Sequence, residues 1–450
     1  MMRKNIQVFF YCAFLALIPA ASGQTKYILE APFSDIPRLS SQYSLTVVRS
    51  IENSQHTVYV VTAPASIPPA QLIAKVSKDK SVVGFESDTE LHQTEAKSNP
   101  TSFAISTTAL KAYASDLTLT SYFGSQVRSI YAKQPAADSI GLTSALGQFG
   151  GGSGTVAIID TGIDPKHPVF NGVLVPGFDF TRNTGGFASE MADLDQSTVA
   201  ILDQSTVAIL DKSNVPAILN QSTVAILDQS TVAILDGSKL PSDFGHGTMV
   251  AGLVHLAAPH AKIMPLKAFR ADGTSDLSDI IRAVYFAVDH GANVINMSFN
   301  LTTPSTEFAN AIAYAASKNV LMFASAGNDG KRLLVYPAGF SKVVGVGSTD
   351  SNDRRSRFSN YGTASARTSA PGEALITTYP GGHYAGVWGT SFSTALVTGA
   401  SSLFMGLNPR CGYSQVMDAL EKGKRIDQGM GDAELNVLTS LQFLMNNRWN

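Results

Sequence analysis

The chain has 450 residues, room for about two or three domains at roughly 100–200 residues each. Lys plus Arg number 33 and Asp plus Glu 35, so the formal net charge of −2 gives no reason to expect nucleic acid or an anionic surface as the main partner. With 44% hydrophobic and 15% charged residues the chain can fill large cores and is too apolar for disorder. Its two cysteines, Cys12 and Cys411, exclude a disulfide framework and a cysteine-based zinc site; Cys411 reads as a small apolar filler.

Residues 1–23 carry the pattern of an export signal. Arg3 and Lys4 form a short basic start, Ile6 to Ile18 is an apolar run, and Ala21-Ser22-Gly23 offers small residues for cleavage after Gly23. The run is too short to span a bilayer, which takes about 20 residues. A secreted protein is expected, extracellular or periplasmic, with no membrane span.

Residues 24–97 follow as a small α+β module. Lys26–Ala31, Leu45–Ile51, His56–Ala63 and Ser81–His92 read as strands, and Pro37–Ser44 and Pro69–Asp79 as helices. The order β-α-β-β-α-β is a ferredoxin-like pattern, which by itself implies no function. Residues 98–126, rich in Ser, Thr and Ala, read as a linker.

From Thr155 onward apolar strands alternate with helices. Thr155–Ile159, Lys262–Phe269, Asn293–Phe299, Leu321–Ala326 and Lys342–Gly347 are the strands; Leu277–Gly291 and Ser305–Lys318 carry helical periodicity. Strands apolar on both faces predict a parallel sheet covered on both sides, with working residues at the strands' carboxyl ends. The fold class is therefore α/β, a parallel-sheet domain preceded by the small α+β one. The glycine run at 150–154 precedes its strand, the reverse of a dinucleotide fingerprint, and reads as an entry loop.

One segment breaks this pattern. Residues 194–236 repeat the unit Leu-Asp-Gln-Ser-Thr-Val-Ala-Ile, starting at Leu194, Leu202, Leu210, Leu219 and Leu227, the third copy being degenerate. The period fits neither a heptad nor a known solenoid. The near-identical copies read as a tandem duplication extruded as a surface loop. Without them the Asp160–His246 interval of 86 residues falls to 43.

Three blocks carry chemistry. Thr-Val-Ala-Ile-Ile-Asp-Thr-Gly, residues 155–162, ends an apolar strand in Asp160, a carboxylate held rigidly enough to orient a histidine. Asp-Thr-Gly also opens an aspartic protease site, but no second copy follows. Gly-His-Gly-Thr-Met-Val-Ala-Gly, residues 245–252, puts His246 at the start of a helix of small residues. Gly-Thr-Ser-Phe-Ser, residues 389–393, puts Ser391 at another helix start, where backbone N–H groups favour a developing oxyanion. Ser393 excludes the Gly-x-Ser-x-Gly elbow. Asn328 ends a strand in Ala326-Gly327-Asn328 as a neutral side-chain donor. The other seven histidines show no metal-ligand spacing.

In the chain order Asp160, His246, Asn328, Ser391 these blocks resemble the subtilisin-like serine proteases, the subtilases, over roughly residues 127–445 apart from the repeat. The resemblance implies Asp160, His246 and Ser391 as a catalytic triad and Asn328 as oxyanion donor. It implies that Ser298, Phe299, Asn300, Ala326 and Gly327 line the substrate cleft. Polypeptide substrates, a monomer, and residues 24–97 as an inhibitory propeptide that assists folding are implied as well. No cofactor is required for the chemistry; structural calcium belongs to the resemblance at sites the sequence does not locate. Met249, Phe392, Ser393 and Ala395 depart from the family's usual residues and touch cleft shape, not proton transfer. Two other readings compete: an inactive subtilase-fold binding protein, and a secreted interaction protein acting through its repeat.

Overall fold

The computed structural model describes residues 24–52, 57–93, 116–194, 224–226, 241, 243–426, 429–431 and 433–447. The expected export signal lies outside them, as do most of the linker and all of the repeat save Leu194 and Val224–Ile226. The chain divides into two compact units, Met1–Thr89 and Glu90–Asn450.

In the first unit, β1 (Thr25–Glu30), β2 (Thr46–Glu52), β3 (Thr57–Ala63) and β4 (Gly84–Ser87) form an antiparallel sheet in the order β2-β3-β1-β4. Alternation does the sorting: Tyr27, Leu29 and Ala31 on one strand and Tyr59, Val61 and Ala63 on its neighbour point to a single face. Ile36, Leu39 and Tyr43 of helix Ile36–Tyr43, with Leu72 and Val76 of helix Pro69–Val76, cover that face. This is the ferredoxin-like order expected. The reading of Ser81–His92 as one strand is corrected: it splits at Asp88-Thr89, and β5 (Glu90–His92) belongs to the second unit.

The second unit opens with a hairpin of β6 (Leu119–Tyr122) and β7 (Ser125–Arg128), where the sequence reads linker. Its turn residues Phe123 and Gly124 both have positive φ, 46° and 91°, the primed geometry that matches strand twist. Phe-Gly is a weak sequence signal for such a turn, which is why the pattern hid it.

The main sheet has eight strands. In spatial order they are β10 (Thr184–Gly186), β9 (Gly177–Asp179), β12 (Lys262–Lys267), β8 (Thr155–Asp160), β14 (Val294–Met297), β15 (Leu321–Ser325), β16 (Val343–Thr349) and β17 (Thr368–Pro371). All neighbours are parallel except β9 and β10. The chain lays β12 on one side of β8 and β14 on the other, so a switch in direction occurs at β8. Crevices for ligands form outside the carboxyl ends of strands at such a point.

β8, β14 and β15 are buried along nearly their whole length, as strands covered on both faces must be. Helix Thr390–Leu407 is buried from Thr390 to Met405, and helix His246–Ala257 throughout, so neither shows an amphipathic period. They approach closely because Gly399 faces Val254 and Ala257; a Cβ there would meet the Val254 carbonyl oxygen at 2.8 Å. A smaller antiparallel sheet joins β18 (Leu375–Tyr379), β19 (His383–Val387) and β11 (Val224–Ile226), the last from the repeat. Cys411 is buried as apolar filler, with its thiol pushed up to about 11 by burial.

His255 lies on the buried helix with 2% of its surface exposed, and neither ring nitrogen has a hydrogen-bond partner among the described residues. Its ring sits edge-on to Tyr122 and Phe170. Burial lowers its pKa to about 4, helped by the nearby His167 and His260. The unfolded chain, near 6.5, takes up the proton first, so this contribution is present above that pH and lost as pH falls towards 4. His255→Leu is expected to flatten the loss of stability between pH 6.5 and 4 by up to about 3 kcal/mol. Urea unfolding at a series of pH values checks it; parallel curves for the two proteins contradict it.

Candidate active site

β8 ends on Asp160 and β12 on Lys267, its register partner; Met297, the last residue of β14, pairs with Ile159 on one side and Ala324 of β15 on the other. Whatever follows these strand ends shares one rim. Asp160 is fully buried, and its Oδ1 accepts a hydrogen bond from Thr161 N at 2.7 Å.

His246 begins helix His246–Ala257, with 2% of its surface exposed, and its Nδ1 lies 2.7 Å from Asp160 Oδ1. A carboxylate accepts the hydrogen bond of Nδ1–H and so fixes the tautomer, leaving Nε2 as the basic nitrogen. This approach depends on glycine at 247. A Cβ there would run into the carbonyl of Gly162, and Gly247 N instead donates to Thr161 Oγ1 at 2.9 Å.

Ser391 is the second residue of helix Thr390–Leu407, so its backbone N–H is among those at the helix start that lack an intrahelical acceptor. Its Oγ donates to Ser298 O at 3.2 Å, while Ser298 Oγ donates to Ser391 O at 3.0 Å. Phe392, next in line, packs its ring 5.6 Å from that of His246. Half-buried Asn328 uses its amide oxygen inward, accepting from Thr390 N at 2.9 Å and Thr390 Oγ1 at 2.8 Å. The side chain's two N–H donors remain to be offered outward. One rim thus gathers a carboxylate–imidazole pair, a hydroxyl at a helix start and an amide donor.

Ser298, Phe299 and Asn300 continue from β14, and Ala326 and Gly327 from β15. The Phe299 ring is turned into the core against Phe269, 5.0 Å away, and Phe308, so only its backbone is left for a cleft. Asn300 is half-buried, and Ser298, Ala326 and Gly327 are buried.

Sequence reasoning missed two participants. β5 pairs antiparallel with β13 (Thr274–Asp276), and Gln93 N donates to Gly273 O at 2.8 Å. Gln93 Nε2 then donates to Ser298 O at 3.0 Å and lies 3.0 Å from His246 Nδ1. The other is Glu190, fully buried beside the Asp160 turn. Neither belongs to a recognisable motif. No group of three or more His, Cys, Asp or Glu residues fit for a metal occurs among the described residues. Nor is any described helix long and apolar enough to cross a membrane.

Comparison with known proteins adds a second line. The profile of the Peptidase_S8 group, the subtilase family, matches residues 151–434. The thermophilic serine proteinase of Bacillus sp. (strain AK1) is 32% identical over 258 residues, 55% of this chain and 51% of that protein. The chain therefore spans about half the length of that relative. Subtilisin BL of Lederbergia lenta is 36% identical over 186 residues, 39% of this chain and 69% of that protein. The crystal structure of a lanthipeptide protease shares the fold, with a TM-score of 0.52 and 22% identity over 70% of this chain and 94% of that one.

Because Gly247 sets the distance between the Asp160 turn and the His246 helix, Gly247→Ala is expected to push the two apart. Overpacking of this kind costs about 1–3 kcal/mol. Denaturant unfolding should show a lower midpoint; an unchanged midpoint would show that the turn absorbs the methyl group.

Proposed function

Because the chain belongs to the subtilase family, we propose that it is a secreted serine endopeptidase, made as a self-processed precursor. The observation that carries the chemistry is the buried 2.7 Å contact between Asp160 and His246, on the same rim as Ser391 and Asn328.

In this reading Ser391 Oγ attacks the scissile carbonyl, and His246 takes its proton and returns it to the leaving amine. Asp160 holds the imidazole in the right tautomer and stabilises its cationic form. Asn328 and the Ser391 backbone N–H bind the oxyanion. Thr390 supports the role of Asn328, because its two bonds to the amide oxygen orient the donor before substrate arrives. An extended polypeptide adds to the cleft by strand pairing, its backbone passing Ser298, Asn300 and the Ala326-Gly327 segment.

Glu90–Gln93 of the chain itself pairs with β13 and reaches Ser298 and His246, the place such a peptide would take. That supports residues 24–97 as an intramolecular inhibitor removed on maturation. The apolar run at Ile6–Ile18 supports export. Intact chemical groups at all four positions favour an active enzyme over an inactive binding protein.

Cleavage is expected between about Glu95 and Lys133, and it is expected to fail in Ser391→Ala. N-terminal sequencing of both secreted proteins decides it; a fully active chain still starting near Gln24 contradicts the propeptide reading.

Kinetics separate the roles. Asn328→Ala should lower kcat by roughly 100- to 1,000-fold with little change in KM, a range known from subtilisin, the family's own type member. Asp160→Asn should cost on the order of 10⁴ in kcat, by analogy with the triad template. Steady-state assays on a peptide library pool test both. A change in KM alone for Asn328→Ala would make it a substrate-binding residue.

A further inference from the structure

We propose that Glu190, in the 3-10 turn Glu190–Asp193 at the root of the repeat, is a positioning residue that locks the Asp160–His246 pair in register. The proposal rests on the assignment of that pair as the proton-transfer groups.

Glu190 is anchored by its backbone and buried completely. Its N–H donates to Ile163 O at 3.2 Å, and Ile163 N donates to Ala188 O at 3.1 Å, just past the Asp160 turn. Its carboxylate then spans both arms of the pair. Oε2 accepts from Thr161 Oγ1 at 3.1 Å and from Gly245 N at 2.9 Å, and Oε1 accepts from Thr248 Oγ1. Thr161 is the residue whose N–H holds Asp160 Oδ1, and Gly245 and Thr248 bracket His246.

Thr161 Oγ1 also accepts from Gly247 N at 2.9 Å, and Thr248 Oγ1 from Asp164 N at 2.7 Å, which leaves both hydroxyl protons available to Glu190. Three donors converging on one carboxylate favour its ionised form.

Among the described residues, Asp160 from β8, Lys267 from β12 and Tyr379 from β18 interact electrostatically with Glu190. Lys267 is itself fully buried, donating to Thr161 O at 2.6 Å, Phe269 O at 2.8 Å and Asp193 Oδ2 at 2.7 Å. Burial pushes the Glu190 carboxyl up to about 7; the bonds from Thr248 and Thr161 and the charge of Lys267 hold it down, and the charge of Asp160 adds to the rise. As pH falls through neutrality Glu190 takes a proton and the lock loosens. The acidic limb of activity then contains the loss of this lock as well as protonation of His246.

The test uses Glu190→Gln and Glu190→Ala in the full chain. Glutamine keeps the shape and can keep two of the three bonds, so it decides the case if alanine does not fold. The readouts are kcat and KM on a fluorogenic peptide chosen from library profiling of the parent, and the rate of inactivation by diisopropyl fluorophosphate from pH 5 to 9. On the alkaline plateau Glu190→Ala is expected to lose about 100-fold in kcat, the scale of a small misplacement of reacting groups, with KM within about threefold. Glu190→Gln has no proton to gain and no charge to steady the imidazolium. Its acidic limb for inactivation is expected about half a unit or more lower than the parent's.

A limb that coincides with the parent's, with or without a loss of kcat, overturns the proposal. Asp160→Asn and Ser391→Ala measured alongside keep the two readings apart. If Ser391→Ala still reacts with the fluorophosphate, the triad assignment has failed; if both controls are inert and the Glu190 limb is unmoved, only the lock has.

Discussion

The site depends on one close approach: the first turn of the His246 helix lying directly against the turn that follows Asp160. A carboxylate and an imidazole buried this deeply have little water to correct a misfit, so their separation must be set by the backbone. Gly247 removes the side chain that would hold the two segments apart, Gly162 makes room for Ala188 and Glu190 beside the turn, and Thr161 ties turn to helix with a hydrogen bond. Glycine at 162 also adopts φ +105°, a conformation that would strain any side chain.

Around that contact the sheet supplies position and the helices supply polarity. Level strand ends at β8, β14 and β15 put Asp160, Ser298 and the Ala326-Gly327-Asn328 segment on one rim. Helix Thr390–Leu407 delivers Ser391 with backbone N–H groups unused by the helix, where negative charge is favoured. Its burial against β14, β15, β16 and the His246 helix fixes the direction in which those groups point, without which the polarity of the helix start would be of no use. The amide of Asn328 is oriented by Thr390 from the same helix, so Ser391 and Asn328 are held as one body.

What was legible in the residues had a local cause. Apolar runs of β-branched residues marked the buried strands, and Asp160, His246 and Ser391 stood out because each lies within two residues of a glycine at a strand end or helix start. The split of Ser81–His92 was not legible, since the choice between two sheets depends on a partner strand, Thr274–Asp276, far along the chain. Phe299 was assigned to the cleft with its neighbours, yet its ring is turned inward by Phe269 and Phe308, which come from other elements.

The sequence by itself determined the α/β class, the order of the chemical groups and the family to which the chain belongs, because each is written in short-range patterns of residue type. The tertiary structure alone decided which groups meet. Glu190 lies 56 residues before His246, with the repeat between them, and Gln93 lies 153 before it; no spacing rule connects either to the site. A buried carboxylate finds its donors only after strand, turn and helix have packed, and the energetic cost of leaving it unpaired is what selects that arrangement.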